Sequence, residues 1–381
     1  MRTSVCRMLG IEYPILAFTH CRDVAIEVSR AGGLGVLGAA RKTPEQLDLE
    51  LAQMDKALKG IPYGVDILSP VTSKKAPPAA IEDDMAGDWA GVGLEARIPK
   101  EYIAFRDELC ARFGIRLPED WGARHVYAEG AVATTERAEA LAEVAFDHPV
   151  RFFMSALGPA PASVIERAHS SGAFIGGMTG TPGHAVKHKE AGADIVAAIG
   201  TEAGGHVGQI TTMVLVPQVV DAVGDTPVLA GGGIGGGRQL AAAIALGAAG
   251  GWTGSVWLTT KESDITEMAK EELLRASSTD AQVTKQLTGK SSRMIMTRWL
   301  AEWENSGLPP LGMPLQAVLQ RPALIGAQDQ QVRDVFVSGV GQIVGSMNSI
   351  RSTKEVVFDM VEEFVRATTA MCELLQADDP S

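Results

Sequence analysis

The sequence predicts an α/β chain folded as a closed (β/α)8 barrel, a TIM barrel. A helical subdomain is expected over its C-terminal mouth and an insertion after its third strand. Three observations predict this. Eight short apolar runs recur along the chain, longer helical patterns separate most of them, and glycine clusters fall just after the runs. Apolar strands without polar alternation suit a parallel sheet covered by helices. Eight β/α units suit closure into a barrel; a doubly wound open sheet is the alternative.

Strands are expected at Pro14–Phe18, Leu34–Leu37, Ile61–Ile67, Val150–Ala156, Ala173–Met178, Asp194–Ile199, Pro227–Gly231 and Gly250–Val256. Helices are expected at Asp23–Ala31, Pro44–Leu58, Glu136–Phe146, Ala162–Ser170, Pro182–Ala191, Val214–Val223 and Gly236–Leu246. Two segments break the rhythm. Residues 69–133 form an insertion with a basic, Pro-containing loop, an acidic patch and one helix at Lys100–Phe113. Loops after barrel strands lie on the catalytic face, so the insertion either roofs the site or decorates the periphery. Residues 261–334 read as a polar, helical lid ending in a Pro-rich stretch. A last helix, Thr353–Leu375, closes the barrel against the first. The expected division is a barrel of residues 1–260 and 335–381, and a lid of residues 261–334.

Of 381 residues, 46% are apolar and 21% charged, an ordinary soluble balance, and the net charge of −12 argues against bulk nucleic-acid binding. No window approaches 18 uninterrupted apolar residues, so no membrane span is expected. The opening MRTSVCRMLG lacks an apolar h-region, so no signal peptide is expected. Cys6, Cys21, Cys110 and Cys372 show neither CxxC spacing nor a zinc pattern. Scattered thiols fit a reducing cytoplasm, and no metal is expected.

The most telling stretch is Thr201–Gly208, TEAGGHVG, directly after the sixth apolar run. Glycines let backbone approach a ligand closely, and a histidine moves protons near neutral pH. His206 is therefore a candidate catalytic or ligand-contacting residue, against a structural role. After the seventh run, Gly231, Gly232 and Gly233 can expose backbone N–H groups to a phosphate; the eighth run adds Thr253, Gly254 and Ser255. A following helix N-terminus would attract the anion further. Tight turns are the alternative. The GIGGGR run is no Rossmann fingerprint, because no acidic residue ends a following strand. Asp66 either meets a cofactor or caps the next segment; Ser155 and Thr179 stand in similar positions at strand ends. His20, after the first strand, is a candidate lining residue of the pocket.

In AIEVSRAGGLGVLGA (25–39), AGADIVAAIGTEAGGHVG (191–208), the GGGI and GS segments, and PLQAVLQRP (314–322), the chain resembles the nitronate monooxygenase (2-nitropropane dioxygenase) family of FMN-binding barrels. The resemblance covers most of the chain. It implies FMN at the C-terminal mouth, with its phosphate on Gly232, Gly233, Gly254 and Ser255 and its isoalloxazine near Gly204 and Gly205. It implies His206 as the base that deprotonates a nitroalkane, with electron transfer to the flavin and completion by dioxygen. It also places Ala17, Phe18 and Thr19 beside the flavin; where the family usually has a Pro-Met turn, this chain has Phe18-Thr19-His20. Asp66 stands where the family usually has Asn. The same scaffold also suits an NAD(P)H-dependent reductase of enoyl-CoA or ACP thioesters or of quinones. Lys74, Lys75, Arg97 and Lys100 could offer a CoA thioester a basic entrance. A flavin-binding sensor or lapsed scaffold is the non-enzymatic reading. Small-molecule substrate and dioxygen are the expected partners, and helical lids over barrels often pair, which makes a homodimer the assembly to test.

Overall fold

A computed structural model describes residues 1–40, 42–69, 94–121, 135–336 and 339–376. Eight parallel strands close into a barrel in chain order. They are β1 (Ile15–Thr19), β2 (Leu34–Gly38), β3 (Gly64–Leu68), β4 (Phe152–Ala156), β5 (Phe174–Thr179), β6 (Ile195–Ile199), β7 (Val228–Gly231) and β8 (Gly250–Thr253). Closure runs through β8 and β1, where Ile15 faces Gly251 and Ala17 faces Thr253. The open-sheet alternative is thereby excluded.

Two strand limits differ from expectation by three residues, the others by at most two. β3 starts at Gly64, not Ile61, and β8 stops at Thr253, where the chain turns into a short 3-10 helix, Ser255–Trp257. The Trp257 indole N–H donates back to the Thr253 carbonyl and hydroxyl, at 3.2 and 3.0 Å, and holds the turn.

Successive strand residues point to opposite faces. Leu16, Leu34, Val36, Phe152, Met154, Ile195, Ala197, Leu229 and Trp252 fill the barrel interior. Their neighbours Ile15, Ala17, Val196, Ala198, Val228 and Ala230 meet the surrounding helices. A helix at Ser4–Leu9, absent from the expected elements, plugs the N-terminal end by adding Val5, Cys6 and Leu9 to the interior cluster. Six residues are too few to show a helical period. The last helix, Thr353–Gln376, packs on Gly237–Ala245 and Arg22–Arg30, as expected of the element that seals the ring.

A second core lies apart from the barrel. Trp299 and Trp303 join Tyr102 and Leu109 of the helix Lys100–Phe113 and Leu319 of the helix Leu315–Asp329. The described part of the insertion thus packs with the 261–334 segment. That segment is not wholly helical. It carries strands Ala281–Thr284 and Ser292–Ile295, which build a three-stranded sheet with Gly205–His206. A two-residue strand supplied from the loop after β6 has no sequence period to announce it. Among the described residues no helix is long and apolar enough to cross a membrane.

The tightest contact between β2 and its covering helix is at Gly35, where a Cβ would stand 1.9 Å from the Ala25 carbonyl oxygen. Gly35→Ala should cost about 3 kcal/mol, the upper range for overpacking. Urea unfolding followed by tryptophan fluorescence checks this; an unchanged midpoint would refute the close approach.

Candidate active site

The inward residues at the C-terminal ends of the strands make the floor of the mouth. Phe18 stacks on Trp252 with ring centroids 5.9 Å apart. The His20 ring stands edge-on to Phe18 at 5.1 Å, and its Nδ1 lies 3.2 Å from the Gly38 carbonyl oxygen. Gly38 leaves room for that ring, since a Cβ there would come within 2.6 Å of His20 Nδ1. In the sheet register Gly38 faces Asp66, and Asp66 faces Met154. Asp66 therefore points into the barrel. It is 3% exposed, and its Oδ2 has no hydrogen-bond partner among the described residues. Burial pushes its carboxyl up to about 7, because the charged form loses its water and gains no counter-charge among the described residues.

The glycine turn after β7 takes a conformation that only glycine adopts easily. Gly232 and Gly233 take φ of +90° and +72°, left-handed backbone that favours glycine. The Gly232 carbonyl oxygen lies 2.9 Å from the Thr212 hydroxyl, whose one proton it shares with Glu202. A trans peptide sets its N–H opposite its carbonyl, so the Gly233 N–H points away from Thr212, on a partly exposed turn. Gly254 lies over the Phe18 ring, with 3.9 Å from its Cβ direction to the ring edge. Ser255 Oγ accepts from the Gly341 N–H at 2.8 Å, which leaves the hydroxyl proton to donate elsewhere.

The expected help from a helix N-terminus is not there. The Gly237 N–H, first in its helix, donates to Glu363 Oε2 at 2.9 Å. That carboxylate, from the last helix, already occupies the positive end of the dipole.

The His206 turn is held from three sides. The Glu202 carboxylate accepts from the Thr212 N–H at 2.9 Å and the Thr212 hydroxyl at 2.8 Å. Arg293 Nε donates to the Thr201 carbonyl at 2.9 Å. The Gln342 N–H donates to the Glu202 carbonyl at 3.0 Å. Gly204 is pressed against the 340–341 backbone, where a Cβ would meet Val340 Cα at 2.7 Å. His206 then pairs with Ser292 in the small sheet. Its Nδ1 lies 3.3 Å from the Ser291 carbonyl oxygen, and a carbonyl only accepts. In the neutral ring the proton is thus on Nδ1 and a lone pair remains on Nε2. The ring is exposed.

Several expected site residues are committed elsewhere. Ala17 is fully buried among Val24 and Val28 of the helix layer. Thr19 Oγ1 accepts from the Cys21 N–H at 3.0 Å. Ser155 Oγ donates to the Gly158 carbonyl at 2.7 Å, and Thr179 Oγ1 to the Thr181 carbonyl at 2.8 Å. These hydroxyls shape loops. The floor residues Trp252 and Met154 were missed, although inward parity with Gly254 and Asp66 could have found them. Glu202, Gly341 and Glu363 carried no such signal. Beside the mouth a cavity of about 490 Å³ is lined by His20, Arg22, Gly38, Lys42, Gln46 and Glu50, among others. Arg97 and Lys100 are exposed. Lys74 and Lys75 lie outside the described residues.

Asp66 makes the ligand-free protein less stable as pH rises. Its ordinary value is 3.8 and its folded value about 7, so the folded chain holds the extra proton across that window. Stability should fall by about 1.4 kcal/mol per pH unit there, about 4 kcal/mol in all. Asp66→Asn does not titrate. The stability difference between wild type and variant, measured by denaturant unfolding at stepped pH, should therefore shift by that amount between about pH 4 and pH 7. Parallel curves would refute the buried acid.

Comparison with known proteins gives one family. A family model described as nitronate monooxygenase matches residues 3–363. The Mycobacterium tuberculosis (strain ATCC 25618 / H37Rv) protein named "Putative monooxygenase Rv1533" is 45% identical over 383 residues, 99% of this chain and 100% of its own length. A solved nitroalkane oxidase from Streptomyces ansochromogenes is 26% identical, with a TM-score of 0.76 over 96% of this chain and 99% of its own. FabK from Thermotoga maritima is 25% identical, with a TM-score of 0.71 over 98% of this chain and 99% of its own. With the closed parallel barrel and the glycine-histidine turn at its mouth, these similarities make the chain an oxidoreductase of the nitronate monooxygenase family.

Proposed function

We propose that the chain holds FMN in the barrel mouth and oxidises alkyl nitronates and nitroalkanes with dioxygen. The observation that carries the base assignment is the bond between His206 Nδ1 and the Ser291 carbonyl, which leaves Nε2 able to accept a proton. Gly232, Gly233, Gly254 and Ser255 would hold the phosphate. Phe18, Asp66, Gly204 and Gly205 would border the ring and ribityl chain. The donor set fits: backbone N–H groups and a hydroxyl for an anion, an aromatic floor, and a buried carboxyl oxygen still lacking a partner. Bound FMN supplies the redox step between nitronate and dioxygen.

His206 takes the α-carbon proton of a neutral nitroalkane on Nε2. The Ser291 carbonyl, accepting from Nδ1–H, stabilises the imidazolium that forms. The strand Ser292–Ile295 both positions this ring and belongs to the segment 261–334. We assign that segment, with the helix Lys100–Phe113, to a lid whose seating orients the base.

A second reading is an NAD(P)H-dependent reductase of enoyl thioesters or quinones. The likeness to FabK and the exposed cations Arg97 and Lys100 favour it.

Anaerobic mixing separates the two. The purified flavoprotein should lose flavin absorbance with propionate 3-nitronate and stay unchanged with NADH and NADPH. Rapid bleaching by either nicotinamide would move the assignment to the reductase.

His206→Ala should keep FMN and lose about 10²- to 10⁴-fold in turnover of neutral nitroalkanes, while turnover of the preformed nitronate is retained. Unchanged nitroalkane turnover would remove His206 from the base role.

A further inference from the structure

Asp66 and His20 are two positions where the chain departs from the family pattern, and both lie against Gly38. Asp66 faces Gly38 across the β2–β3 register, and His20 lays its ring over the open face of Gly38. We propose that Asp66 is a proton-linked contact of the flavin: it is a neutral acid once the mouth is filled, donates a hydrogen bond to an acceptor on the flavin, and makes FMN binding take up a proton. The proposal rests on the FMN reading above.

The geometry supplies the reasons. The carboxyl is enclosed, points into the mouth and keeps one oxygen without a partner among the described residues. No cation faces it from the adjoining strands. β2 offers Val36 and Gly38, and β4 offers Phe152 and Met154. β1 offers Leu16 and Phe18. His20 is the ionisable side chain that the loop after β1 brings alongside, with its Nδ1 directed at the Gly38 carbonyl. A flavin ring over this floor would displace the remaining water, and its phosphate would add negative charge. Both effects favour the uncharged carboxyl. Burial alone already holds the group near neutrality, so filling the mouth carries it past working pH. A carboxyl that ionises in the empty site and is neutral in the filled one must gain a proton on binding.

The test is calorimetric titration of flavin-free protein with FMN at about pH 8, above the ordinary imidazole range, in two buffers of different ionisation enthalpy. The wild type should take up roughly 0.5 to 1 proton per FMN, and its affinity should weaken up to about tenfold per pH unit above pH 8. Asp66→Asn should bind FMN with no Asp66-dependent uptake and a flat pH profile. His20→Gln should retain the uptake. Should Asp66→Asn fail to fold, the infrared difference spectrum of the wild type decides: a neutral carboxylic acid band must appear on FMN addition. Proton release, no uptake, or equal uptake in Asp66→Asn would overturn the proposal and leave FMN binding intact. No FMN binding at all would overturn the flavin reading, and this proposal with it.

Discussion

Closing eight parallel strands into a ring gives every strand residue one of two fates, and the site depends on that alternation. Phe18 and Asp66 point inward and meet whatever fills the mouth. Ala17 and Ser155, one step off that parity, are turned into the helix layer and the loops. Strand-end position alone therefore does not make a residue part of the site. The same alternation gathers an aromatic floor, Phe18 and Trp252, from the first and last strands of the ring.

The glycine-histidine turn depends on longer connections. Glu202 spends its carboxylate on Thr212, at the start of a helix, where negative charge is favourable. Arg293, from the lid segment, ties Thr201, and Ser292 pairs with His206. The histidine is thus held between barrel and lid. Any displacement of the segment 261–334 would move the His206 ring relative to the floor.

Asp66 runs against stability. A buried carboxyl with one oxygen unpartnered among the described residues destabilises the fold at neutral pH, where burial disfavours its charged form. Such a violation is a mark of a functional position rather than of packing. Glu363 shows the opposite case. It satisfies a helix start that the glycine-rich sequence left open to an anion.

Much of this was legible in the chain. Apolar runs and glycine punctuation located all eight barrel strands within a few residues, because burial on both faces leaves a local compositional trace. The glycine-histidine turn was visible for the same reason: close backbone approach demands glycine in sequence. The small sheet, the helix Ser4–Leu9 and the shared core of Tyr102, Trp299 and Trp303 were not. Nor was the tautomer of His206, which a carbonyl 85 residues away in sequence decides. By itself the sequence determined the barrel, its order and the turns that can approach a ligand, since those rest on local pattern. Only the tertiary structure decided which strand-end side chains face the mouth, where the His206 ring points and which carboxylates are already paired. Those depend on parity around a closed ring and on contacts between segments that no local period records.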